Sequence, residues 1–76
     1  MPYLAKVALM NQRNQVLVSE VLVGEKELQS KTLNDYQMFR ALETAGITPK
    51  QKTKYDSWRD SIVLKIDVIK EIKGHE

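Results

Sequence analysis

A chain of 76 residues with 42% apolar and 29% charged side chains is expected to form one small folded domain, being too apolar to stay disordered. It contains no cysteine, which excludes a disulfide scaffold, thiolate-bound zinc and thiol catalysis together. Its formal net charge of +2 is too small to argue for nucleic acid by itself.

A domain this short buries only about 60% of the surface of its unfolded chain, leaving a stability margin of roughly 3–5 kcal/mol. The usual supplements are few here. The single histidine, His75, lies beside the last residue, where chains commonly fray, and no run of the D-x-D-x-D-G kind offers a carboxylate metal loop. No metal and no cofactor are therefore expected, and self-association is the supplement that remains. The longest uncharged aliphatic run near the start, Val7 to Met10, falls far short of a signal segment or a membrane span. The expectation is a cytoplasmic protein without a membrane partner.

In chain order, Tyr3–Met10 and Gln15–Val23 are rich in strand formers and free of proline. The polar stretch Asn11–Asn14 between them has hairpin length. Residues 24–33 carry no clear periodicity and read as a loop. The next segment predicts a helix over 34–45, with both ends marked. Asn34 as N-cap and Gln37 at N3 make a capping box, and Leu33 and Met38 take the positions of a hydrophobic staple. Met38, Phe39, Ala41, Leu42 and Ala45 share one face. Gly46 then stands at C′, with Ile47 placed to touch Leu42 as in a Schellman motif. Thr48, Pro49 and Gln51 repeat the start signal and predict a short helix over 49–58, with Tyr55 and Trp58 on one side.

The last segment, Ser61–Lys73, fits two templates. As a strand it puts Ile62, Leu64, Ile66, Val68 and Ile72 on one face and mostly charged residues on the other. As a helix it strands Leu64 and Val68 on the wrong side and sets Asp67 and Glu71 at a repulsive i,i+4 spacing. Six β-branched residues between Ile62 and Ile72 favour the strand. The fold class expected is thus α+β, in the order β-β-α-short α-β: a small, three-stranded, mostly antiparallel sheet with one main helix packed on one face.

No catalytic set can be assembled from this inventory, so the chain is not expected to be an enzyme. Its serines lack a histidine base other than His75. The acid pairs Glu25 with Glu27 and Asp56 with Asp60 read as solvated surface charge rather than as a pair of carboxylates in a cleft. No glycine-rich loop is present to cradle a phosphate, because Gly24, Gly46 and Gly74 all fall at element boundaries.

The stretch 50–59 is the most distinctive. Lys50, Lys52, Lys54 and Arg59 interleave with Tyr55 and Trp58, a pattern in which cations neutralise phosphates while rings stack on bases. Against that, Asp56 interrupts it, and a lone tryptophan in a small domain is usually needed for packing. These six residues are the candidate partner-binding set.

A second feature points to protein partners. One helix covers one face of a three-stranded sheet, yet the first two strands are apolar on both sides. Uncovered apolar surface of that kind marks an interface. The function class expected is a non-catalytic protein-binding module, homodimeric through its sheet, acting as a regulator or inhibitor on the surface of a larger machine. A small nucleic-acid binder using residues 50–59 is the alternative. In size and composition the chain resembles the small early proteins of bacteriophages, although no motif carries that likeness.

Overall fold

The computed structural model describes residues 2–73. The hairpin forms where the strand-rich segments predict it, as β1 (Tyr3–Met10) and β2 (Val16–Val23), antiparallel from Tyr3 opposite Val23 to Met10 opposite Val16. Its turn is organised by Asn11, whose buried side-chain oxygen accepts the Arg13 and Gln15 N–H groups at 2.9 and 3.0 Å. Asn14 takes a positive φ of 62°, a conformation asparagine tolerates better than most residues.

Residues 24–33 hold a helix where a loop was expected: α1 (Glu25–Ser30). Gly24 begins it and donates its N–H to the Glu27 carboxylate at 2.7 Å, while Lys31, at φ 57°, closes it. Only one apolar residue of the six, Leu28, packs against the core, so no periodicity was there to be read.

The next helix, α2 (Asp35–Thr44), follows its sequence signals closely. Asn34 Oδ1 accepts the Gln37 N–H at 2.8 Å, and Gln37 Oε1 accepts the Asn34 N–H at 2.9 Å. At the other end the Gly46 N–H reaches the Glu43 carbonyl at 2.9 Å and the Ile47 N–H the Leu42 carbonyl at 2.8 Å. Those two bonds, with Gly46 at φ +87°, make the full Schellman arrangement.

The short helix starts later than expected. Thr48–Gln51 forms a separate turn, closed by the Gln51 N–H on the Thr48 carbonyl at 2.9 Å, and α3 runs Lys52–Arg59. Gln51 does bond back to the Thr48 N–H at 3.2 Å, so half of the second capping box exists. The backbone of Gln51 (φ −95°, ψ 67°) is not helical, and the helix begins after it.

The last segment is a strand, β3 (Ile62–Glu71), paired antiparallel to β1, giving the sheet order β2-β1-β3. Its simple alternation fails, because the register shifts between Ala8 and Leu9 and again between Leu4 and Ala5. Leu64 and Ile69 are the extra residues, and each bulge moves the following side chains to the opposite face. Val63 and Ile66 consequently pack on the core, whereas Lys65 and Asp67 share the other face, 3.3 Å apart. The ten residues of β3 are thus absorbed by the eight of β1, and the strand ends flush with its neighbour rather than overhanging it.

All three helices contribute to one core on one face of the sheet. Ala5, Val7 and Leu9 from β1 meet Val21 and Val23 from β2, Met38, Ala41 and Leu42 from α2, and Ile47 and Trp58 beyond it. Buried Ser19 ties the layers by donating its hydroxyl to the Ala41 carbonyl at 2.6 Å. The molecule measures 40 × 23 × 17 Å, and 17 Å leaves room for one sheet and one helix layer only.

Candidate functional site

The candidate residues of the 50–59 stretch separate into two groups. Trp58 is 7% exposed and belongs to the core, so its ring does not offer a stacking surface. Tyr55 is half-buried and meets Phe39 edge-to-face, with ring centroids 6.4 Å apart at 71°. That contact joins α3 to α2 and is worth about 0.5–1.5 kcal/mol beyond the area it buries. The charged residues Lys50, Lys52, Lys54 and Arg59 are all exposed. Asp56 pairs with Lys52 at 3.3 Å and approaches Arg59 at 3.6 Å, leaving a smaller local positive field than the sequence alone implies. Lys54 lines a cleft of about 640 Å³ between α3 and the hairpin, which also receives Arg13 from the turn. Arg13 lies far from the stretch in sequence, and only the fold brings it near.

A second cleft, of about 470 Å³, runs between the free edge of β2 and the outer side of α2. Glu20 and Leu22 form its strand wall, and Tyr36, Gln37 and Arg40 its helix wall. Tyr36 is 68% exposed, and Arg40 is paired with Glu43 at 3.0 Å.

The sheet face opposite the helices exposes apolar side chains. Each β1–β2 pair facing that way contains apolar side chains or one Lys–Glu couple: Leu4 with Leu22, Lys6 with Glu20, Ala8 with Val18, Met10 with Val16. Val16, Val18, Leu22 and Ile62 are each more than half exposed there. On β3, the bulge residues Leu64 and Ile69, and Val68 on the helix side opposite Ala5, are nearly half exposed as well. A monomer seldom leaves so many large apolar side chains together in water.

The backbone polarity of β3 follows from two bonds at the ends of β1. The Ile72 N–H donates to the Pro2 carbonyl, and the Asn11 N–H to the Gln15 carbonyl. Backbone groups alternate in direction along a strand, so the even residues of β1 address β3 and the odd ones β2. Asp67 and Lys65, opposite Lys6 and Ala8, therefore turn their N–H and C=O groups inward, while Ile66 and Val68 turn theirs outward to the unpaired edge.

Titratable groups with shifted behaviour lie at structural joints. The Tyr3 hydroxyl donates to the Glu25 carboxylate at 3.1 Å, which holds its pKa above the usual tyrosine value. The Gly24 N–H, together with Gln37, holds the Glu27 carboxyl below the usual range. The first ties β1 to α1, the second caps α1 and reaches α2, and neither Tyr3 nor Glu27 lines either of the two clefts. Among the described residues no three His, Cys, Asp or Glu side chains group as metal ligands, and no helix is long and apolar enough to cross a membrane. His75 and Gly74 lie outside the described residues. Compared with known proteins, the chain matches no family model, no curated protein and no solved structure.

Proposed function

We propose that this chain is a non-catalytic protein-binding module that works as a homodimer and occupies a surface on a larger assembly, as a regulator or inhibitor. The observation that carries this reading is the helix-free sheet face, where Val16, Val18, Leu22 and Ile62 stand more than half exposed. Burying such side chains returns about 25 cal/mol per Å² of apolar area, a large gain beside a margin of a few kcal/mol. The Lys6–Glu20 couple in the middle of that face adds a polar feature that fixes register on a partner without repelling it.

The nucleic-acid alternative draws on the exposed Lys50, Lys52, Lys54 and Arg59. Its stacking half is weakened by the burial of Trp58 and by the packing of Tyr55 on Phe39. Sedimentation equilibrium at micromolar concentration tests the homodimer: a mass of twice 8.8 kDa is expected, and the single-chain mass would contradict it. Tight binding to nucleic acid with a steep salt dependence would favour the alternative.

A further inference from the structure

The unpaired edge of β3 is self-complementary. Between its two bulges lies a regular stretch, residues 65–68, in which Ile66 and Val68 direct their backbone donors and acceptors away from the sheet. Lys65 and Asp67 flank Ile66 on the helix-free face, side by side and exposed. A two-fold axis through Ile66 turns this stretch onto itself: Ile66 opposes Ile66 of the second copy, and each Lys65 opposes the other copy's Asp67.

Neighbouring registers are worse on charge. An axis through Asp67 or Lys65 sets identical charges directly opposite each other at the closest cross-strand spacing. An axis through Val68 leaves Asp67 facing Ile69 of the second copy. The Val68 axis also sets Lys65 opposite Glu71, but across the bulge at Ile69; only the Ile66 register places two attractive charge pairs within the regular stretch, and there the outward amides of Ile66 are also positioned to exchange hydrogen bonds.

We propose that two copies of the chain join edge to edge through β3, antiparallel about a two-fold axis at Ile66, so that Lys65 of each copy pairs with Asp67 of the other. The proposal rests on the homodimer reading above and adds to it the strand, the register and the pairing charges. The result is a continuous six-stranded sheet with all helices on one side and the two apolar faces joined on the other. The bulges at Leu64 and Ile69 have a part in this. They interrupt the edge on both sides of the regular stretch, which limits pairing to one short register and opposes indefinite growth.

The test uses the full chain and two single charge reversals, Lys65→Glu and Asp67→Lys, with circular dichroism and Trp58 emission verifying the fold of each. Alone, each variant sets like charges together twice across the axis, and its dimer dissociation constant should rise on the order of tenfold or more. Mixed in equal amounts, the two acids of one variant face the two lysines of the other, and the mixture should sediment as a dimer. The double exchange Lys65→Asp with Asp67→Lys should dimerise like the parent, which covers the case in which a single variant does not fold. A parent that sediments at the single-chain mass overturns both the homodimer reading and this register. A parent dimer with single variants equally dimeric, or with a mixture no tighter than its components, leaves the homodimer standing and overturns the β3 register.

Discussion

Replacing Gly46 isolates one backbone conformation from every packing effect. Gly46 has φ +87°, and a Cβ built on it meets no atom within 4 Å, so steric contact contributes nothing to the cost of a side chain there. What remains is the torsional penalty of the left-handed region, about 1–2 kcal/mol for an ordinary L-residue and less for asparagine. Gly46→Ala should therefore destabilise by about 1 kcal/mol, Gly46→Val by closer to 2, and Gly46→Asn by less than half of the alanine value. In a domain of this size each kcal/mol moves the melting temperature by about 4–8 °C. Urea titration followed by Trp58 fluorescence and by far-ultraviolet circular dichroism measures the series. The midpoints should fall in the order Gly, Asn, Ala, Val at constant slope. Equal midpoints for Asn, Ala and Val would refute the reasoning, because they would show that position 46 does not hold a positive φ in solution.

Three other outcomes follow from the packing and the charges. Trp58→Ala should cost about 3–5 kcal/mol and largely unfold the chain, and native Trp58 emission should be blue-shifted; a water-like spectrum would show the indole to be a surface residue. Charge reversal at Lys50, Lys52 and Lys54 together should move the urea midpoint little, since exposed ion pairs such as Lys52–Asp56 are worth about 0–1 kcal/mol; a large loss of stability would contradict their placement on the outer face. Glu27 has a folded-state pKa below its unfolded value, so its contribution is present above the unfolded pKa and is lost as pH falls through the folded one. Glu27→Gln should then be less stable than the parent at neutral pH, with the gap closing on acidification; a gap independent of pH would remove the Gly24–Glu27 bond from the account.

The parts of the fold legible in the sequence are those with local causes. The ends of α2 could be read because Asn34, Gln37 and Gly46 act on backbone groups within a few residues of themselves. The hairpin was readable from its two runs of strand formers and the short polar connection Asn11–Asn14, while the bonds by which Asn11 holds the turn emerge only in the structure. The helix α1 was not, because its single core contact, Leu28, leaves no repeat, and its start rests on one glutamate bonding back to Gly24. In β3 the strand was legible from β-branched content, but its faces were not. Bulges are set by how a strand fits its neighbour, and a period-two reading of Ile62–Ile72 groups Leu64 with Ile66. The candidate partner residues show the same division. Trp58 was recognisable as a packing residue by its scarcity, whereas the approach of Arg13 to Lys54 and the cleft between β2 and α2 depend on contacts remote in sequence.

Coverage of the β3 edge by a second copy of the chain is read directly by amide hydrogen exchange at Ile66. Its N–H points away from β1 and, among the described residues, the alternation of the sheet gives it no partner. Protection at Ile66 that grows with protein concentration, while the Ala5 and Val7 amides inside the sheet stay protected throughout, is the predicted result. An Ile66 amide that exchanges at the unprotected rate even where the protein sediments as a dimer would contradict it.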